Sequence, residues 1–431
     1  MKKTTLILLL VSFIFVPYVM ASGGQEETAT VSDWTKDPIT MKIEGSGWIL
    51  KKFPIQEAAD RFMQDHPNVT IEVSSNQDDT LNSYMLNWAV GDADVDLAFG
   101  GAASQVAKLA AKNLLMPWND FYSGDFDAKN FLTHSVETAK KGGDYFAIPF
   151  MEEAMSLQVN RGLMAEAGLV NSDGTPMYPA NLDEMADFAG KMTKGSGEVK
   201  DIYGFSWNLT NFGDQQMMCA VNALGGKVYN DDGSPNLEAP EYLDIFNFIA
   251  KVNLEGWATK GTISDTNAGR SGLKAGTVAM IFEAASRAIE AKATLGDDAM
   301  MIPFPGMEKN GTFIFAHYAY VPRTSKVQEA VKAFMREQVF TADFAAPAAE
   351  QYGKLPSYIP LYSGLSSDFE QIKKWMALPG TIGDMSWVEG SKLNALFYEL
   401  EQLVATGGIT PEEAVERLAT EGGSYNLSIV E

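Results

Sequence analysis

Between residues 39 and 117 the apolar positions switch repeatedly between two periods, and that alternation restricts the architecture more than any other feature of the chain. Ile39, Met41 and Ile43 recur at every second residue, as on a strand with one buried face, up to Gly45-Ser46-Gly47. Pro54 opens a helix in which Ile55, Ala58, Ala59, Phe62 and Met63 keep the i, i+3, i+4, i+7 spacing, stopping before Pro67. Val69, Ile71 and Val73 form a second strand, Leu81, Met85 and Trp88 a second helix, and Val95 to Phe99 a third, almost continuously apolar strand. Ala103, Val106, Ala107 and Ala110 follow on a helix ending by Pro117. Strands alternating with helices over short connections predict a parallel sheet covered on both faces, because each crossover must pass over the sheet. Ligands of such sheets bind beyond the carboxyl ends of the strands, here Gly45 to Trp48 and Gly100 to Ser104.

The second half is also α/β. Tyr203 to Trp207, Val278 to Phe282 and Phe313 to Val321 read as strands, and Glu241 to Val252 as a helix. Leu393, Leu396, Phe397, Leu400, Leu403 and Val404 make one apolar helical stripe. After it, Thr410-Pro411-Glu412-Glu413 supplies an N-cap, a proline at the first helical position and a capping-box glutamate. At 431 residues the chain is long enough for about two or three domains.

The ends and the charge narrow the function. Lys2 and Lys3 precede the apolar run Leu6 to Val16, and Pro17 leads to Val19-Met20-Ala21. This is the pattern of a secretory signal peptide cleaved after Ala21, too short for a membrane span. Ser22 to residue 37 reads as a flexible leader. Cys219 is the only cysteine, so no intramolecular disulfide forms and no cysteine at a new N-terminus can carry a lipid anchor. An exported, untethered protein is expected in the periplasm. The net charge of −23 excludes a nucleic-acid partner, which needs a basic footprint, and disfavours an anionic membrane surface.

Catalytic and metal signatures fail on inspection. Gly45-Ser46-Gly47 begins like a dinucleotide fingerprint, but Leu50 stands where the third glycine belongs. Gly190 to Gly195 has phosphate-loop spacing yet runs into Ser196 instead of lysine. Asp92, Asp94 and Asp96 resemble a calcium loop, but Leu97 and Ala103 replace its glycine and its closing glutamate. His66, His134 and His317 are too dispersed for zinc. Cys219, inside Met217 to Leu224, reads as a buried structural thiol. No cofactor and no metal are expected.

Three further stretches carry a family resemblance. Tyr145-Phe146-Ala147-Ile148-Pro149-Phe150 runs into Glu153 to Leu157, Asn160 and Met164 to Leu169, and resembles a crossover strand and helix. Leu273-Lys274-Ala275-Gly276-Thr277-Val278-Ala279-Met280 is similar to the pattern F-x-x-G-x-A-A-M. Phe313 to Lys326 looks like a returning hinge strand. In that order and spacing they resemble the family 1 extracellular solute-binding proteins of ATP-driven importers, the group containing the maltose-binding protein. The resemblance implies an α/β, two-lobed periplasmic-binding-protein fold with a ligand cleft between lobes joined by hinge crossover strands. It places the first lobe at 38–151 plus 319–367 and the second at 154–316 plus 369–431. It implies a monomer that captures a carbohydrate without catalysis and delivers it to membrane permease subunits.

A sugar site needs aromatic faces for pyranose C–H surfaces and planar polar groups for paired hydroxyls. Trp48 lies just past the first strand's carboxyl end. Trp207, followed by Asn208, Asn211 and Phe212, ends a strand of the second lobe, and Trp387 precedes the last helices. Trp88, on a helical apolar stripe, is expected in the core. By resemblance, Glu153 is the crossover acid that contacts sugar, with Glu152 solvated or structural in the hinge. Gly101, Ser104, Gln105, Glu283 and Arg287 occupy positions where relatives place ligand contacts, and His317 or Tyr318 interrupts the hinge strand as a cleft residue. The chain departs from the maltose-binding pattern at Gly100-Gly101, Ser286 and Asn394-Ala395, where aromatics are absent, so a sugar other than maltose is expected.

Two other classes compete: the same fold holding a polyamine or a phosphorylated polyol, and a secreted carbohydrate-active enzyme. A phosphorylated ligand would need an Arg/Lys cluster that the sequence does not place. An enzyme would use Glu152/Glu153 or Glu283, and the adjacent pair is disfavoured because neighbours on a strand point to opposite faces.

Overall fold

The strands fall where the period-two segments do, and the computed structural model describes residues 33–76, 80–92 and 94–430. The signal-peptide and leader expectations for residues 1–32 lie outside the described residues. Strand β1 (Ile39–Ser46) pairs in parallel with β2 (Val69–Asn76), Ile43 facing Val73, and with β3 (Leu97–Gly101), Ile43 facing Leu97. Its odd residues Met41 and Ile43 are fully buried, while Thr40 is exposed and Lys42, Glu44 and Ser46 half-exposed, the alternation read from the sequence.

One sheet continues into β4 (Ile148–Asn160) and β7 (Phe313–Tyr320), two antiparallel strands paired from Ile148 opposite Ala319 to Ala154 opposite Ile314, with a one-residue register shift between Pro149 and Met151. β7 also pairs with β3, Phe99 facing Ala319. Beyond Ala154, β4 pairs with β5 (Met280–Ala284) and β6 (Ala299–Ile302). A two-residue strand β8 (Leu355–Pro356) lies along β4 with Leu355 facing Glu152, and β9 (Ile382–Gly383) lies along β7.

Each end of this arrangement has a large core on one face and a smaller one on the other. Around β1–β3 the large core gathers Ile43, Phe62, Leu97, Phe99, Trp118, Phe150 and Phe334, and the smaller holds Trp88, Ala98, Leu109, Tyr318 and Tyr320. Around β5 and β6 the large core holds Leu157, Trp207, Phe246, Phe282, Phe304, Trp375 and Leu400, and the smaller Leu273, Val278, Ile281 and Ala299. Both halves belong to one contact unit, Trp34–Glu431.

The helices follow the sequence reading, with Glu241–Leu254 buried along one face and Gly390–Thr406 burying Leu393, Leu396, Phe397, Leu400 and Val404 of the expected stripe, Leu403 being half-buried. Thr410 forms the full capping box, its hydroxyl accepting from Glu413 N at 3.2 Å and Glu413 Oε2 from Thr410 N at 2.8 Å. Residues 203–207 differ. They make only isolated bridges, Tyr203 to Val278, Phe205 to Ala258 and Ser206 to Ile281. Gly204 is pressed against the Ala189 carbonyl, where no Cβ fits, and no single neighbouring strand runs beside the segment.

Asp94 pairs with Lys42 at 2.8 Å, and Asp96 accepts from the Lys42 backbone N–H at 3.0 Å and from Ser325 Oγ at 2.7 Å. The acidic turn is thus an anchor for β1. Cys219 is fully buried, and burial pushes its thiol up to about 12. Among the described residues no helix is long and apolar enough to cross a membrane, and no group of three or more His, Cys, Asp or Glu is arranged to hold a metal ion.

Glu152 is not solvated. It is fully buried in β4, its Oε2 accepts from Ser135 Oγ at 2.8 Å, and Oε1 has no partner. Burial pushes its carboxyl up to about 8 against the pull of the Ser135 hydroxyl. The folded protein therefore holds a proton that the unfolded chain has released, so this group's stability contribution is complete below about pH 4 and lost as pH rises towards 8. Asp384, pushed up to about 8 by burial and by Asp214, adds to the same slope. Glu152→Gln keeps an acceptor for Ser135 without the ionisation. We expect it to be more stable than the parent at pH 8 by roughly 1–3 kcal/mol and to flatten the slope between pH 5 and 8, read by denaturant unfolding. A variant less stable than the parent at pH 8 would contradict the assignment.

Candidate functional site

Where β4 and β7 cross between the two halves, strand alternation decides what faces outward. Phe315 and His317, two residues apart on β7, line one cavity, and Glu153, opposite Phe315 in the register, lines it from β4. The cavity measures about 580 Å³, within the range of small-molecule sites. Trp48 and Lys52, on the short helix Gly47–Lys52 after β1, close one side. The opposite wall is Asn211, Phe212, the helix Ala268–Ala275 and the helix Ser286–Leu295.

Two glycines explain how the helix Ala268–Ala275 reaches the site. Gly269 and Gly272 lie against Ser206 and Val278, and a Cβ at either would collide with those side chains. Seated that closely, the helix turns Arg270, Ser271 and Lys274 into the cavity with Asn267 from its N-cap, a polar stripe at i, i+3, i+4, i+7. Phe212 holds a left-handed backbone at φ 66°, uncommon for a residue with a side chain. Its ring lies under the Arg270 guanidinium at 5.4 Å.

Trp48 is half-buried, its ring 5.0 Å from His317 in an edge-on contact and 5.8 Å from the Lys354 ammonium. Lys354 precedes β8, whose pairing with β4 sets it beside Glu153. Lys354 Nζ bonds Glu153 Oε1, and Ser286 Oγ donates to Glu153 Oε2 at 2.7 Å. Burial works against the Glu153 charge, but Lys354 and Arg287 outweigh it and hold the carboxyl well below the usual range. Burial lowers the Lys354 ammonium to about 8, with Glu153 opposing and Arg287 assisting. Burial lowers His317 to about 4, so it is neutral at pH 7.

Behind this layer, Glu283 accepts from Asn208 Nδ2 at 2.8 Å and Arg270 Nε at 2.6 Å, with Arg287 at 3.5 Å. Glu290 takes Lys52 from across the cavity, Lys274 at 3.1 Å and Arg287 at 3.0 Å. Burial would raise the Glu290 carboxyl, yet these cations pull it down to about 2.

Of the residues named from the sequence, the structure brings Trp48, Glu153, Asn211, Phe212, Arg287 and His317 to the cavity wall. The others are elsewhere. Trp207 is 1% exposed in the second core among Phe205, Phe248 and Phe282, its indole N–H donating to Glu401 at 3.1 Å. Trp387 is also buried, donating to the Gly233 carbonyl. Tyr318 points to the face opposite His317 and donates to the Ser135 carbonyl at 2.9 Å. Asn208 and Glu283 support the wall from behind. Gly101 lies against Tyr320 and is buried, and Ser104 and Gln105, half-buried on the helix Ala103–Ala111, are not part of the lining. Trp88 is core, stacked on Tyr84 at 4.3 Å.

The sequence reading missed Lys52, Asn267, Arg270, Ser271, Lys274, Glu290, Phe315 and Lys354. The stripe 267–270–271–274 was a detectable signal, as was Phe315 by its spacing from His317. Lys354 had none. The Arg/Lys cluster that the sequence could not place is therefore here.

This architecture, two sheet-centred halves joined by crossing strands with a cavity between, is that of the two-lobed periplasmic binding proteins. The profile of the bacterial extracellular solute-binding proteins matches residues 57–370, and the chain belongs to that family. The maltotriose-binding protein of Pyrococcus abyssi is 25% identical over 195 residues, which are 45% of this chain and only 38% of that protein's length. Among solved structures, maltose-bound T. maritima MalE3 matches with a TM-score of 0.71 at 16% identity, covering 89% of this chain and 98% of that one. The solute-binding protein of Thermotoga lettingae bound with α-D-tagatose gives 0.70 at 20% identity over 89% and 98%. The GacH receptor of Streptomyces glaucescens gives 0.71 at 19% over 89% and 97%. At these identities the likeness fixes the fold.

The two tryptophans make a direct test of the placement. Trp207→Ala should cost about 3–5 kcal/mol as a core truncation. Trp48→Ala, half-exposed on the cavity rim, should cost clearly less in the same denaturant titration. Equal losses would put Trp48 in the core.

Proposed function

We propose that this protein is the non-catalytic substrate-binding component of an ATP-binding-cassette importer, capturing a carbohydrate between its lobes and presenting it to membrane permease subunits. The observation that carries the reading is the cavity itself, in a chain of the solute-binding family. It combines aromatic faces, Trp48, Phe212 and Phe315, with the polar side chains Asn211, Asn267 and Ser271. Rings that cover sugar C–H faces beside amides and hydroxyls that bind its hydroxyls are what a saccharide requires. The maltose, tagatose and maltotriose named for the relatives support the class, not the particular sugar.

The lobes are taken as 38–151 plus 319–367 and 154–316 plus 369–431, with β4 and β7 as hinge strands and the protein as a monomer. Export to the periplasm, with cleavage after Ala21, is part of the same reading. An enzyme is disfavoured by the carboxyl geometry. Glu152 turns to Ser135 and Glu153 to Lys354 and Ser286, on opposite faces of β4, so the two cannot flank one glycosidic bond.

A carbohydrate at about 100 times its dissociation constant should stabilise the protein by roughly 2.7 kcal/mol and be recovered unchanged. Trp48→Ala should weaken that binding by about 1–3 kcal/mol. A thermal-shift panel of sugars and polyamines reads both. A shift with putrescine or spermidine and with no carbohydrate would overturn the assignment, and turnover of an oligosaccharide would overturn the non-catalytic part.

A further inference from the structure

Five of the chain's 33 lysines and arginines converge on this one cavity, in a protein whose net charge is −23. They come from four separate places: Lys52 on one side, Arg270 and Lys274 on one helix, Arg287 on the next, and Lys354 beside the hinge. Three carboxylates answer them, Glu153 and Glu290 in the wall and Glu283 behind it. Two positive charges are left over. A purely structural ion-pair network would not need the excess. Here every carboxylate but Glu153 is shared by two or three cations, and Arg270 Nη2 has no acceptor. Four of the five cations are mostly shielded, and uncompensated charge with little access to water is costly, so the surplus calls for an anion brought in by whatever fills and dries the cavity. A polyamine would add charge of the wrong sign.

Resting on the carbohydrate reading above, we propose that the ligand is an acidic carbohydrate, one carrying a carboxylate or a phosphate. Its sugar face packs on Trp48 and Phe212 and its anionic group sits by Arg270, Lys274 and Arg287. Arginine forks hold either anion in a bidentate way, and Phe212 under Arg270 fixes the guanidinium plane.

The test compares matched pairs by thermal shift and calorimetry on the full mature chain. Glucuronate and galacturonate, as monomers and oligomers, are set beside the neutral parents, with glucose 6-phosphate as the phosphate arm and acetate and inorganic phosphate as anion controls. At least one acidic sugar should bind about tenfold or more tighter than its neutral parent. Which arm responds decides between carboxylate and phosphate. Lys274→Gln should weaken the acidic ligand about tenfold, and clearly more than it weakens the neutral parent sugar. Its side chain is 39% exposed, so folding is spared. Lys52→Gln is the second variant. Neutral sugars binding as tightly as their acidic counterparts would overturn the acidic assignment and leave the carbohydrate reading intact. Binding of no sugar, neutral or acidic, would overturn both.

Discussion

The pairing of β4 with β7 is the interaction on which the remainder of this structure depends. These strands contribute to the sheets of both halves, so their register, Ala154 opposite Ile314 and Glu153 opposite Phe315, places the two halves and the cavity floor in one step. All thirteen residues of β4 are buried. That imposes a condition on its two adjacent acids, because a buried carboxylate must be paired or remain protonated. The strand solves the problem twice in different ways. Glu153 is ionised against Lys354 and Arg287, whereas Glu152, with serine hydroxyls and no cation beside it, keeps its proton. Alternation along the strand sends one acid to the cavity and its neighbour to the protein interior.

The second wall depends on backbone proximity. Gly269 and Gly272 let the helix Ala268–Ala275 sit on Ser206 and Val278, and that depth brings Arg270 within reach of Glu283. Glu283 also fixes Asn208, whose own Oδ1 accepts from the Thr210 and Asn211 N–H groups at 3.2 and 3.0 Å. The loop so held leads directly to Phe212 and its left-handed backbone. A side chain larger than hydrogen at Gly269 or Gly272 would lift the helix and uncouple the wall from its buried carboxylate.

The secondary structure was legible wherever one face of an element is buried, because the periods of β1, β2 and the helices at 55–65 and 390–406 report that burial directly. The wall of the site was only partly legible. Trp48 and Trp207 look alike in sequence, each following a strand-like segment beside small or polar residues. Trp48 is left on the rim because the chain turns at once into the helix Gly47–Lys52 beyond the carboxyl end of β1, whereas Trp207 is covered by Phe205, Phe248 and Phe282 and by the helix that carries Glu401. The latter helix lies almost two hundred residues away, and no local pattern announces it. The cations were hidden for the same reason. Arg270 and Lys274 share a helical face and could be grouped, but Lys354 is positioned by a two-residue strand and Lys52 by a single turn after β1, segments too short for any period.

The Lys52–Glu290 pair gives the cavity an energetic sense. Lys52 follows β1 on one side and Glu290 lies on the helix Ser286–Leu295 of the other, so this link exists only while the two walls face each other. Both side chains are mostly shielded, and Glu290 also carries Lys274 and Arg287, so the link brings a third cation to one carboxylate. Such a contact closes the walls weakly on its own, because three cations around a single carboxylate repel one another. A ligand shifts the balance between open and closed arrangements only through contacts it gains in one and not the other. Packing on Trp48 alone would be equally available in both. An anion placed by Arg270, Lys274 and Arg287, as proposed, gains the attraction of Lys52 as well only once Lys52 has been brought across, and it relieves the crowding that the bare contact creates. On the proposed reading, closure and recognition of charge would be the same event at this site.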